Sequence, residues 1–226
     1  MSSVQERILE QEMLDSASDE EAARNLRDIT RINAITGARR EMLRQIGQYF
    51  APKQSFRFLD VGAASGDFAR AISARFKQSR PFCLDLQFRN LKLAPQHKVQ
   101  ADAFRLPFPD GAFDIVHCSL FLHHFDSSET KLLLAEMNRV ASKLVLVQDL
   151  HRHWISYYFL PFTRFLFRWN KITVEDGMKS VAAGWRRKEL ESILFQCGLL
   201  ERSKIQWHFP SFRYFIAIQT TQRVLY

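Results

Sequence analysis

Apolar positions near the start of the chain recur at spacings of three and four residues: Leu26, Ile29 and Ile32, then Met42, Leu43, Ile46 and Phe50. That period puts them on one face of a helix, so residues 5–49 are expected to be helical, with Gly37 placed to break or kink the run. Pro52 ends the region. Beyond it, short β-rich runs alternate with helical ones. The pattern predicts strands over 56–61, 81–86, 98–101, 113–119 and 144–148, with helices over 67–76 and 128–141. A helix over 187–197, stopped by Gly198, precedes two β-like runs, 200–208 and 213–219, close enough in sequence for an antiparallel hairpin. Strands alternating with helices imply the α/β class: a mostly parallel sheet with helices on both faces.

A chain of 226 residues accommodates one such domain with some decoration. Its hydrophobic fraction of 46% and charged fraction of 25%, without repeats or low-complexity tracts, are those of a globular protein. No run approaches the roughly 20 apolar residues of a membrane span, and MSSVQERILEQE is too acidic and polar for a secretory signal, so a cytoplasmic location is expected. Cys83, Cys118 and Cys197 are far apart and form no C-x-x-C pair; each reads as a small apolar residue. The net charge of +8 is uneven: residues 151–226 hold 12 Lys and Arg against 5 Asp and Glu, leaving 20 against 19 for residues 1–150. The excess therefore reports on a partner or substrate of the C-terminal third rather than on the fold.

Chemistry concentrates where the first strand runs into Asp60-Val-Gly-Ala-Ala-Ser-Gly66 and a helix. A strand, glycine turn and helix form the context for a nucleotide-like ligand, Gly62 allowing the tight turn and Gly66 a close approach. Asp60 and Asp67 bracket this loop with no Lys or Arg between them. Two carboxylates disfavour a pyrophosphate and favour the ammonium and sulfonium of S-adenosylmethionine. Asp85, 19 residues beyond Gly66 at a strand end, suits a ribose diol, and Asp102 with the Ala103 N–H suits an adenine edge.

The runs FLDVGAASGDFARA (58–71) and QADAFRLPFPDGAFDIVHCSLFLHHF (100–125), with Asp85 between them, resemble the successive motifs of class I S-adenosylmethionine-dependent methyltransferases, above all the group containing ubiquinone and menaquinone biosynthesis enzymes. The resemblance spans about residues 55–150. It implies a Rossmann-like seven-stranded sheet with the last strand antiparallel, and cofactor contacts from Asp60, Gly62, Ala63, Gly66, Asp85, Leu86, Asp102, Ala103, Ser119 and Leu120. Asp60 and Gly62 then face the methionine end. One departure is Ala64, where the family usually has glycine.

Ligands of open α/β sheets sit beyond the carboxyl ends of the strands, which brings Ser119, Leu120 and His123 to the reaction centre. His123, or His151 after the fifth strand, is a candidate general base, against the plainer reading that such histidines cap or pack helices. No carboxylate accompanies His123, His124, His151 and His153 at ligand spacing, so no metal is expected. Methyl transfer from a sulfonium needs none.

Between Trp154 and Trp169 lie eight aromatics, with cations at Arg164, Arg168 and Lys171. In the resembling family this insert and the N-terminal helices cover the acceptor. The expected organisation is a helical cap over 1–52 and a cofactor-binding domain over 53–226, with a lid insert at about 152–184 that Pro161 divides into two short helices. Trp154, Tyr157, Tyr158, Phe162 and Phe165 are the expected acceptor contacts, and Arg31, Arg39 and Arg40 are candidates from the N-terminal side. The expected function is O- or C-methylation of a small, largely apolar or aromatic acceptor. Alternatives are plain core packing of the insert, contact with a membrane surface, an RNA methyltransferase, ranked lower because no RNA-binding module is visible, and a catalytically silent binding scaffold. Oligomeric state is not legible.

Overall fold

The computed structural model describes residues 6–95 and 97–220. Residue 5, where the helical expectation begins, lies outside the described residues. Residues 7–12 form neither helix nor strand, and the Ile8 N–H donates to the Ala182 carbonyl at 3.3 Å. The first long helix, α1 (Asp19–Ile35), starts at Ser18, whose hydroxyl accepts from the Glu21 N–H while Glu21 reaches back to Ser18. Gly37 then takes a φ of 75° and turns the chain into α2 (Ala38–Ile46).

The alternating region follows as β1 (Phe56–Val61), α3 (Asp67–Arg75), β2 (Ser79–Asp85), β3 (Lys98–Gln100), β4 (Phe113–Ser119), α4 (Ser127–Val140) and β5 (Ala141–Leu150). After it come α5 (Trp154–Phe167), α6 (Lys171–Ala183), α7 (Arg187–Gln196), β6 (Ser203–His208) and β7 (Arg213–Gln219). The strands form one seven-stranded sheet in the order β3-β2-β1-β4-β5-β7-β6. The first five are parallel, and β7 runs antiparallel to both β5 and β6. This is the Rossmann-like arrangement expected from the resemblance.

The two-residue period of the strands sorts their side chains into two cores. Phe58, Ile115, Leu144, Leu146 and Phe215 meet Met42 and Ile46 of α2 and Phe68 and Ile72 of α3 on one face. Leu59, Val61, Val116, Val145 and Ile216 meet Leu133 and Met137 of α4 and Leu190 and Ile193 of α7 on the other. Each such side chain contributes about 1.5–3 kcal/mol on burial. Thus α2 belongs to the sheet's covering layer, whereas α1 lies against α6 across the carboxyl edge: Asp28 Oδ2 accepts from the Asn170 N–H at 2.8 Å and the Thr173 hydroxyl at 3.2 Å.

One expectation fails here. Pro161 sits inside α5 without dividing it. Proline removes only its own donor and crowds the carbonyl four residues back, and α5 continues through that defect to Arg168. Arg168 takes a φ of 54° and ends the helix; the second lid helix, α6, begins at Lys171. Among the described residues, no helix is long and apolar enough to cross a membrane.

Candidate functional site

The loop after β1 is wound by three left-handed residues, Gly62 (φ 67°), Ala64 (φ 45°) and Gly66 (φ 72°). A Cβ on Gly62 would stand 2.6 Å from the Phe121 ring, and one on Gly66 2.6 Å from Pro95. Ala64 holds a conformation that suits glycine, at a cost of about 1–2 kcal/mol. Its N–H donates to Asp85 Oδ2 at 3.1 Å, which ties the loop to the end of β2. Asp85 Oδ1 also accepts from the Gln87 N–H (2.9 Å) and the Asn90 amide (3.1 Å).

The bracketing carboxylates are engaged differently from each other. Asp60 is buried; its Oδ1 pairs with His117 Nδ1 at 2.8 Å and its Oδ2 has no partner. Burial pushes the Asp60 carboxyl up, against the pull of His117. Gln148 Nε2 stands 2.9 Å from His117 Nε2, so with that amide donating, His117 gives its Nδ1 proton to Asp60. Asp67 accepts from the Arg39 guanidinium at 2.9 Å and the Asn33 amide at 3.2 Å. The loop's local sequence is free of cations, but the fold supplies one.

Beyond this loop opens a cavity of about 430 Å³. Asp60, Gly62, Ala63 and Ser65 form its floor, Asp85 and Leu86 one end, Ile29 and Asn33 of α1 a wall, and Phe159 and Leu160 of α5 the roof beside Gly177 of α6. Ser119, Leu120 and His123 line it as well. Asp102 and Ala103 follow β3, beside the Asp85 strand end, but are not on the cavity wall, and Asp102 accepts from the Phe104 N–H at 2.9 Å.

The expected acceptor contacts sit away from this cavity. Trp154, Tyr157, Tyr158, Phe162 and Phe165 do not line the cavity; Phe162 and Phe165 are 82% and 89% exposed. The helix faces inward with Ser156, Phe159 and Leu160 instead. Aromatics on every side of α5 left no polar stripe from which its rotation could be read.

The two candidate bases are also placed unfavourably. His123 is buried, with Nδ1 2.6 Å from Asp149 Oδ1 and Nε2 3.7 Å from the Glu12 carboxylate, an ion-pair rather than a hydrogen-bond separation. Burial alone would lower its pKa, but Asp149 and Glu12 outweigh it and hold it at about 9. The ring is therefore charged near neutrality and has no lone pair to accept a proton. Glu12, despite burial, is held down to about 2 by His123 and His124, and its carboxylate also takes the Ser180 hydroxyl. His124 is pushed down to about 4 by burial and by charged His123. His151 is off the cavity wall, packed on Tyr214 at 4.9 Å between ring centroids, and burial lowers its pKa to about 4. Among the described residues, Glu12, His123 and His124 bring possible metal-ligand atoms within 4.8 Å of one another. A cation there would first have to displace the His123 proton.

The residues that the sequence left unremarked are long-range partners. Asp149 ends β5 and also accepts from the His123 and Phe121 N–H groups at 3.1 and 3.3 Å. It is one more carboxylate at a strand end, the same signal that marks Asp60 and Asp85. Arg213, at the start of β7, is 2% exposed and lines the cavity. It donates to Asn33 Oδ1 at 2.7 Å and, at 3.5 Å, to the Ser119 hydroxyl; its Nε has no partner, and among the described residues no carboxylate lies within ion-pair distance. Burial lowers it to about 10, so it stays charged near neutrality. A strap, residues 7–14, closes one side: Arg7 donates to the carbonyls of Ala183 (2.7 Å), His123 (3.0 Å) and Phe125 (2.7 Å) and lies 3.6 Å above the Trp185 ring. The Met13 and Leu14 N–H groups donate to Asp176 at 2.8 and 3.0 Å.

Comparison with known proteins agrees with this geometry. Residues 59–144 match the methyltransferase domain family. The chain is 35% identical over 104 residues to the demethylmenaquinone methyltransferase of Deinococcus radiodurans, covering 41% of this chain and 42% of that protein. It is 30% identical over 92 residues to the malonyl-[acyl-carrier protein] O-methyltransferase of Legionella pneumophila, covering 37% of this chain and 32% of that protein. The matches thus span less than half the length of these curated relatives. Among solved structures, an S-adenosylmethionine-dependent methyltransferase from Aquifex aeolicus superposes with a TM-score of 0.56 at 16% identity, covering 79% of this chain and 89% of that one. The magnesium protoporphyrin IX methyltransferase of Synechocystis, with S-adenosylhomocysteine bound, gives 0.56 at 12% identity over 85% and 84% of the two chains. Residues 59–144 thus match the methyltransferase domain model, and the chain around them has the fold of solved S-adenosylmethionine-dependent methyltransferases.

Proposed function

We propose that this chain transfers the methyl group of S-adenosylmethionine to oxygen or carbon of a small, largely apolar or aromatic acceptor that carries an anionic group. The observation that carries the reading is one continuous cavity, glycine-lined and acidic at the β1 and β2 ends, apolar beneath α1 and α5, with buried Arg213 between. Its volume of about 430 Å³ falls within the range of small-ligand sites. The residues fit the cofactor: Gly62, Ala63, Ala64 and Ser65 bring the loop backbone to the cavity, Asp60 Oδ2 is an unmatched acceptor on the floor, and Asp85, held by the Ala64 N–H, stands where it can accept from a diol.

When bound, the sulfonium supplies an already activated methyl group. The chain's task is then positioning and exclusion of water. Asp85 and the glycine loop orient the donor, while Phe159, Leu160 and Ile29 surround an apolar acceptor. Arg213, a buried cation without a carboxylate partner, holds the acceptor's carboxylate or phosphate. With His123 protonated and His151 off the wall, the residues favour an acceptor that ionises readily by itself, such as an acidic phenol or an enolisable carbon acid.

Calorimetry with S-adenosylhomocysteine tests the cofactor assignment: binding is expected, weakened at least about tenfold by Asp85→Ala. Tight binding of NAD with no response to S-adenosylhomocysteine would overturn it. Methyl-labelled cofactor incubated with a cell extract then tests the acceptor, since label should enter an acidic, solvent-extractable small molecule. Label found only in RNA or protein refutes the acceptor class, and binding without turnover on any acceptor refutes catalysis.

A further inference from the structure

Helix α5 is apolar on two sides. Ser156, Phe159 and Leu160 line the cavity, while Trp154, Tyr158, Phe162, Phe165 and Leu166 form an outer stripe, exposed by 60, 41, 82, 89 and 77%. Their i, i+4, i+8, i+11 and i+12 spacing keeps them within about 120° of arc. A helix that is apolar all round is ordinarily buried all round. Single exposed apolar residues are commonplace, but a contiguous stripe marks a surface that something covers. The stripe continues through ring contacts from Trp154 to His153 (5.7 Å), His153 to His151 (5.3 Å) and His151 to Trp207 (5.9 Å). Trp207 and Phe209, 5.7 Å apart, are 49% and 57% exposed.

Charge narrows what the cover is. Between Asp149 and Glu175 the sequence has no carboxylate and four cations, Arg152, Arg164, Arg168 and Lys171. Arg152 is buried against Glu189 at 2.6 Å, and Lys171 stands 3.6 Å from Glu175. Arg164 and Arg168 are exposed, and neither has an ion-pair partner among the described residues. Arg164 lies about 80° around the helix from Trp154, on the side away from Leu166, at the edge of the stripe. Aromatic rings bordered by arginines, without acids, match the boundary between acyl chains and anionic headgroups. A second copy of this face would instead bring cation against cation.

We propose that the outer face of α5, continued by Trp207 and Phe209, docks the protein on an anionic membrane surface. The helix would lie in the plane of the interface, with the lipid on one side and the cavity on the other, about one helix diameter away. An apolar acceptor could then pass between bilayer and cavity. The docking itself stands whether or not the proposed reaction does.

Flotation of the full chain tests this with vesicles of phosphatidylcholine alone and of phosphatidylcholine with phosphatidylserine, without cofactor or acceptor. The chain should float with the anionic vesicles in preference to the neutral ones, less so as salt is raised. Phe162→Asp/Phe165→Asp should lower partitioning at least about tenfold, and Arg164→Glu/Arg168→Glu should abolish the preference for anionic lipid. All four side chains are exposed, so circular dichroism should show both variants folded. Absence of flotation with either vesicle, or flotation indifferent to the phenylalanine changes, overturns the proposal. Self-association that Phe162→Asp/Phe165→Asp disrupts, without flotation of the unaltered chain, also overturns it and gives the face to a second copy.

Discussion

Replacing His123 with glutamine should change how stability depends on pH. In the folded protein the imidazole lies between Asp149, 2.6 Å from Nδ1, and Glu12, 3.7 Å from Nε2. Its pKa stands at about 9, against 6.5 for a free histidine. At about 1.36 kcal/mol per pH unit, that displacement corresponds to about 3 kcal/mol of folding free energy. Because the folded value is the higher, the folded state retains a proton that the unfolded chain releases. The contribution is therefore complete below about pH 6.5, declines as pH rises, and is gone above about pH 9. Urea denaturation of both proteins across this interval gives the measurement, since groups other than His123 titrate in each and cancel in the difference. The excess stability of the unaltered protein should shrink by about 3 kcal/mol between about pH 6.5 and about pH 9.5. A difference that stays constant across the interval would refute the charged-histidine argument and restore His123 as a candidate base.

Two further substitutions address the site directly. Ala64→Gly relieves the left-handed strain at φ 45° but gives the unfolded chain more freedom, so a net gain of up to about 1 kcal/mol in thermal or urea denaturation is expected, and a clear loss would show that the loop does not need glycine-like geometry. Arg213→Gln should raise the acceptor KM at least about tenfold while leaving S-adenosylhomocysteine affinity unchanged, with partial recovery in Arg213→Lys; equal loss for cofactor and acceptor would place the guanidinium at the donor instead.

The sheet was legible because its central strands are nearly continuous apolar runs punctuated by Gly62, Gly66 and acidic strand ends. Local chemistry also revealed the hairpin of β6 and β7 and the turn at Gly37. What could not be read depends on separation in sequence. The charge of His123 is set by Asp149, 26 residues later, and by Glu12, 111 residues earlier. The cation-free loop acquires Arg39 by folding, and Arg213 becomes a cavity residue only when β7 inserts beside β5. The rotation of α5 was hidden for a different reason: its rings surround the helix, so the sequence offers equal grounds for facing any of them inward. Only the small Ser156, with Phe159 and Leu160, marks the side that α6 and the cavity receive.

The strap of residues 7–14 has a consequence for the order in which the molecule is built. During synthesis it emerges ahead of everything it touches: Arg7 waits for His123 and Phe125, then for Ala183 and Trp185, and the Met13 and Leu14 amides wait for Asp176. Separations of 116 to 176 residues make these among the most expensive loops in the chain to close, and apart from the single 3-10 turn that begins at Met13 the strap has no regular structure of its own to hold it in readiness. The sheet can therefore be complete while one wall of its cavity is still missing, and docking of the strap onto α6 and the turn after β4 becomes the event that separates a folded chain from a finished site.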